Sequence, residues 1–580
     1  MKPTLLAIAT ALCTSCSPAQ VDVDGPPISP FRGMRRIDAG IEVQLQDDTW
    51  YELEAVAGVD TSTLLREADR LCGDRAWKRI TEDLPALLDA MGHEVGARVD
   101  VAVRELTTGR RRTFAAVEMT RDNRRRLRDA NRGDRDGWPG ARGPAVLPPT
   151  AVAADLERLR ELLDTRFAYR ELRSVDLDAR LRAARAALGD GPVARAEFVR
   201  AVDEVLRAFG DGHSRVTERV SERGPWLPFL VQQVGAGQHP AGGHVAFHAD
   251  RTGFVDPARP YLVAIDGAPL DRWLAASAGR GTQGSAAMQA RHAERGLRNL
   301  GALRAALGLA AGDTVRVTLC ATPPAHPDGR TGAEPQTVAL PVAARRPLYG
   351  TWPRGATRRL DGDIGYLRLA SMDSDDAFLD ALDEAMQAFR DTRGLVIDVR
   401  GNGGGSRAAL LRLAPYLLPA DRAVVGNVAA VLLEDEAPAP ADALADRFLY
   451  RADWPGWNER QRAAIADCLK AFRPSWTPPA GRFSPFHFLV LDRADDSAAF
   501  AYGRPVAVLI DRGCFSATDV FAAALQAIPG VTVVGEPTSG GSGRARRFRL
   551  PASGLELQLS SMASFRPDGV LFEGHGVEPD

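Results

Sequence analysis

The sequence predicts an α/β core at the C-terminal end of the chain, preceded by a helical segment and by small α+β units. Three observations carry that expectation. The apolar run "LVIDVR", from Leu395, empties into "GNGGGS" and then into a helical pattern, "RAALLRLAPYLL". Strand, glycine turn and helix in that order form the αβ unit of a parallel sheet. A second apolar run, "PVAVLI", meets a small-residue corner at Ser516 and continues as "ATDVFAAALQAI". Between residues 150 and 209, "AADLERLRELLDTRF", "LDARLRAARAALG" and "ARAEFVRAVDEVLRAFG" each place apolar residues at helical spacing.

Taken from the start, Lys2 and the short apolar "LLAIATAL" read as an export signal. The run is too short to span a bilayer. "CTSC" follows, so residues 1–16 resemble a bacterial lipoprotein signal with Cys16 as the lipidated residue. Cys13 stands where such signals usually carry Leu, and ordinary cleavage after Ala19 is the alternative. Both readings put the mature protein outside the cytoplasm, either lipid-anchored in a bacterial envelope and facing the periplasm or secreted. Residues 17–34 are a polar, Pro-rich tether.

Residues 35–120 read as a small α+β domain: strands "GIEVQLQ" and "WYELEAV", helices "STLLREADRL" and "WKRITEDLPALLDAMG", then a hairpin around "TTG". Residues 121–149 are charged and rich in Gly and Pro, and read as a helix tail and linker. The helical subdomain spans 150–219, and a β-rich domain spans 220–345. "YELEAVAGVDTSTLL" and "YLVAIDGAPLDRWL" suggest an internal repeat resembling a PDZ-like module; two unrelated αβ units are the other reading. The core fills 350–580, with an irregular insertion rich in Trp, Pro and Phe at 420–500.

With 73 basic and 75 acidic residues, the chain has no charge excess to attract a nucleic acid. Lysine is confined to Lys2, Lys78 and Lys470. Cys72, Cys320, Cys468 and Cys514 match no zinc spacing and no dense disulfide framework.

The residues with chemistry are few. Ser516 sits at a strand-to-helix corner, where a hydroxyl can be aimed outward beside unpaired backbone N–H groups. Capping the helix is the competing role for a serine there. The glycines of "GNGGGS" lack the spacing and the Lys of a phosphate loop, so they form either a tight turn or a backbone approach to a ligand. "FGDGHSRV" presents His213 in a polar turn. His244 and His248 form HxxxH on a strand-like segment, which is not a helical zinc motif.

Together, "GYLRLASM", "VIDVRGNGGG", "VAVLIDRGCFSATDVFAAALQ", "VVGEPTSGG", "DGVLFEGHGVEPD" and upstream "LRAFGDGHSRV" resemble the tail-specific (C-terminal-processing) and tricorn-core serine peptidases. The likeness implies a crotonase-like ββα core and a serine endopeptidase acting on protein or peptide substrates through an acyl-enzyme. It implies no metal or organic cofactor. Ser516 falls on the nucleophile. Tail-specific members pair it with a Lys, but the matching position here is Gly541, so a Ser–Lys pair is not expected. The tricorn-core branch uses a His, which here is His213, and a late Glu, which here is Glu573. That branch has a Ser just before its His; here Gly212 precedes and Ser214 follows. Glu573 is therefore expected to orient His213 directly, through Ser214, or through water. The oxyanion donors implied are the N–H of Ala517 and that of Gly403 or Gly404. Cys514 is a rival nucleophile two residues away. Arg544, Arg546 and Arg547 either hold a substrate carboxylate or decorate a strand. The alternative function is a catalytically silent protein binding peptides or apolar ligands on the same fold.

Overall fold

Apolar residues at alternate positions, with a few departures, make one-faced strands of Gly40–Gln44, Trp50–Val56 and Arg98–Glu105. The computed structural model describes residues 28–580 apart from 38–39, 48, 73–75, 107, 125, 128–143, 219–223, 236–242, 324–333, 345, 348–354, 420, 434–439 and 494–498. The export signal, Cys16 and most of the expected linker lie outside the described residues. Met1–Gly143 and Pro144–Asp580 are two units.

In the first unit an antiparallel sheet runs in the order Gly33–Ile37, Gly40–Gln44, Trp50–Val56, Arg98–Glu105, Arg111–Glu118. Ile41, Val43, Leu53, Leu64, Leu87 and Val101 form its core. The helix expected over "WKRITEDLPALLDAMG" is two helices, Ala76–Glu82 and Leu84–Ala90. Pro85 has no N–H to continue the first, so the chain restarts at Leu84.

The second unit contains a sheet with the same strand order: Phe229–Val234, Gly243–His248, Tyr261–Ile265, Thr314–Cys320, Gln336–Pro341. In both sheets the third strand turns back through two positive-φ residues, Ala57 with Gly58 and Asp266 with Gly267. Two such residues make the tight turn that matches strand twist. The two sheets thus share one topology.

The C-terminal region begins with a five-stranded sheet: Arg358–Leu360, Ile364–Arg368, Gly394–Asp398, Val506–Ile510, Val531–Gly535. The first pair is antiparallel and the rest parallel. Helix Asp376–Ala388 makes the first crossover. Helices Ala408–Leu417 and Ala517–Gln526 follow the two central strands. The stretch 420–500 is more regular than expected. It supplies Val424–Val431 and His487–Leu491, the central strands of an antiparallel sheet that Met562–Phe565 completes. Both are buried along nearly their whole length, so they show no alternation for a sequence reading to find.

One pairing decides where the site forms. The two residues after the His213 turn, Arg215–Val216, join the hairpin Ala545–Arg549 and Glu556–Ser560 as a third strand. Val216 pairs with Leu557 and Arg215 with Gln558. Behind this sheet the helices Pro149–Arg166, Leu177–Leu188 and Arg195–Arg207 share one apolar core with Leu557, Phe488 and Phe565. Among the described residues, no helix is long and apolar enough to cross a membrane.

Candidate active site

The corner at Ser516 is strained. Its φ is 64° and its ψ −118°, a region costly for any residue with a Cβ. Its hydroxyl makes no helix cap. Instead Ser516 Oγ lies 3.0 Å from His213 Nε2, across 303 residues of chain. The corner is clamped to the glycine run. Asp511 accepts from the N–H of Gly401 at 2.7 Å and from that of Gly513 at 2.8 Å. The Phe515 N–H donates to the Asn402 carbonyl at 3.1 Å.

Gly404 has φ +98°, and a Cβ there would stand 2.8 Å from Ser516 Cβ and 2.9 Å from the Ala517 nitrogen. Only glycine allows that approach. The Gly404 N–H donates to Asn402 Oδ1 at 2.9 Å. Of the two glycines expected to supply a donor, Gly403 is therefore the one whose N–H has no partner among the described residues. Ala517 opens its helix, so its N–H has no intrahelical acceptor.

The imidazole of His213 stacks on Phe515, centroids 4.5 Å apart and planes at 27°. That ring explains two departures from the resembled pattern. A Cβ at Gly212 would fall 2.6 Å from Met288 Cε and 2.7 Å from Phe515 Cζ, and one at Gly541 would fall 2.6 Å from Phe515 Cε2. Serine before the histidine and lysine at 541 are both denied room. Lys470 is exposed and paired with Asp467 at 2.6 Å.

Beside His213 are two buried carboxyl groups. Asp211, Glu573 and a ring nitrogen of His213 lie within 4.8 Å of one another. Burial, then the neighbouring Asp211, push the Glu573 carboxyl well above the usual carboxylate range. Glu573 therefore holds its proton more tightly than an ordinary carboxyl. Such a set of donors also has the spacing of a cation site, with Nε2 already turned to Ser516. Ser214 donates to Asp211 and accepts the Ser560 N–H at 3.2 Å. It therefore fixes the turn to the C-terminal hairpin and does not bridge Glu573 to His213. At standard geometry no hydrogen bond joins Glu573 to His213. Asp211 was not among the expected site residues. Its one sequence signal is its place two residues before His213 in the same polar turn.

Burial pulls His213 down to about 4, against the raising effect of Asp211. The imidazole is neutral at physiological pH. Cys514 is fully buried; its thiol donates to the Val399 carbonyl at 3.1 Å, and burial pushes it far up. It does not face the cleft. Cys320 and Cys468 are also free thiols. The cleft over Ser516 is lined by His213, Ser542, Arg407, Arg447 and Arg544, while Arg546 and Arg547 are exposed on opposite faces of their strand.

A serine on a strained strand–helix corner, an imidazole at hydrogen-bond distance and free N–H groups beside them define a serine hydrolase class of site. Residues 363–580 match the model of peptidase family S41, and the match supports a serine-type peptidase. Among solved structures, mature CPAF complexed with lactacystin is 18% identical, with 74% of this chain and 93% of that chain covered and a TM-score of 0.48. The photosystem II D1 C-terminal processing protease is 16% identical over 74% of this chain and 92% of its own, with a TM-score of 0.35. The tricorn protease is 14% identical over 83% of this chain and 38% of its own, with a TM-score of 0.28. No curated protein matches the chain.

Proposed function

We propose that the protein is an exported serine endopeptidase that works through an acyl-enzyme, with Ser516 as nucleophile and His213 as its base. The observation that carries this reading is the 3.0 Å approach of His213 Nε2 to Ser516 Oγ. Serine is a poor nucleophile until a neighbouring base accepts its proton. As Oγ attacks the peptide carbonyl, Nε2 takes that proton and the carbonyl oxygen becomes an oxyanion. The N–H groups of Ala517 and Gly403 receive it; one such donor contributes about 3 kcal/mol. His213 then returns the proton to the departing amine, and water repeats the sequence on the ester. Asp211, beside the imidazole, favours the imidazolium that forms in each step. Peptides or proteins are the partners.

The wild-type protein is expected to take a fluorophosphonate label at Ser516, located by mass spectrometry, and Ser516→Ala to take none. Labelling at another residue, or turnover that persists in Ser516→Ala, removes Ser516 from the mechanism.

The pH profile gives a second expectation. Protonated His213 cannot accept the Ser516 proton, so activity rises as pH climbs through the imidazole's own value. Burial sets that value at about 4 rather than the ordinary 6.5. The acid limb of kcat/KM for the free enzyme is expected near 4. A limb at 6.5 contradicts the buried, neutral imidazole.

A further inference from the structure

Arg407 follows the glycine run immediately and lines the cleft with Ser516. It is only 4% exposed. One terminal nitrogen donates to the Arg447 carbonyl at 3.0 Å, and the other reaches Ser542 Oγ at a long 3.4 Å. Among the described residues no carboxylate stands within ion-pair distance of it. Arg544, in the same cleft, is by contrast held by Asp446 at 3.2 Å. Arg447, itself 3.6 Å from Asp446, adds a second guanidinium to the same lining and repels the first. Burial, then that repulsion, bring Arg407 down to about 9, against the raising effect of Asp446. A guanidinium carries five N–H donors in a planar fork shaped for a carboxylate. Buried without a counter-ion it is costly, and an entering anion relieves that cost.

We propose that Arg407, with Arg447 beside it, forms a carboxylate-recognition subsite, so that the cleft selects peptides presenting a carboxylate close to the bond that Ser516 attacks. The choice of peptides as ligands rests on the peptidase reading above; the anion site itself does not. The carboxylate has two sources, an Asp or Glu side chain or a free chain terminus, and the fork recognises what they share.

The test compares peptide pairs that differ only in charge. One set exchanges Glu for Gln at each position flanking the cleaved bond; the other carries a free or an amidated C-terminus. Wild-type kcat/KM is expected to favour the acid member by about tenfold or more, the usual gain from a hydrogen bond to a charged group. Preference in the Glu/Gln set assigns the side chain, and preference in the acid/amide set assigns the terminus. In Arg407→Leu the ratio should fall to about one. Arg407→Lys keeps the charge without the fork and should retain part of it. Equal rates in both sets for the wild type overturn the subsite, and so does a preference that survives in Arg407→Leu. Fluorescence anisotropy of the same peptides on Ser516→Ala repeats the comparison without turnover. An acid preference there, in a protein whose wild type takes no fluorophosphonate, would uphold the subsite while the catalytic reading fails.

Discussion

His213→Ala is expected to lower kcat by about 10⁴-fold or more, and Ser516→Ala by a similar factor, with the double variant no worse than either alone. The geometry requires this non-additivity. Nε2 meets Ser516 Oγ across the cleft at 3.0 Å, and it matters only through the proton on that oxygen. Without the imidazole the hydroxyl stays protonated, and without the hydroxyl the imidazole has nothing to deprotonate. What turnover remains comes from the oxyanion donors and from substrate binding, which neither substitution touches. Single-turnover assays with an activated ester and a peptide measure all three variants. Losses that multiply in the double variant would show two independent contributions and would end the account of Ser516 and His213 as one unit.

The position of that imidazole depends on the far end of the chain. Val216 pairs with Leu557, the Ser560 N–H donates to Ser214, and Glu573 stands by Asp211. The His213 turn is therefore built as much by residues 545–573 as by its own helices. This is the part the sequence could not display. Cross-chain strand pairing leaves no local period, and the two residues Arg215–Val216 are too few to read as a strand. The corner at Ser516 and the glycine run were legible, because strand, small residues and helix follow one another within a dozen positions. So were the three bundle helices, whose stripes have a clear period. The central strands Val424–Val431 and His487–Leu491 were hidden for the opposite reason: covered on both faces, they look like any apolar run. Asp211 escaped as a site residue because its importance comes from Glu573, which is distant in sequence.

Gly541→Lys is expected to abolish most activity rather than to install a Ser–Lys pair, with kcat/KM falling about 100-fold or more. The cause is the ring of Phe515. A Cβ at 541 stands 2.6 Å from Phe515 Cε2, closer than real side-chain contacts allow, and a tight 3.1 Å from Glu573 Oε2. Either Phe515 moves or the backbone does. His213 is stacked on that ring, so its Nε2 moves off Ser516, and a displacement of about 1 Å costs about 100-fold. The new ammonium would also meet the buried Asp211–Glu573 pair, whose charge would hold it protonated and deny it the role of base. Gly541→Ala adds the Cβ without the amine and should lose activity by the same displacement, with about 1–3 kcal/mol of overpacking seen in denaturant titration. Placing Gly541→Lys in the His213→Ala background separates the explanations. Turnover recovered there would mean that a lysine fits and works, and that Phe515 does not dictate the choice of base. Continued inactivity is expected, since the ring that supports the imidazole occupies the space through which a lysine would have to reach the serine.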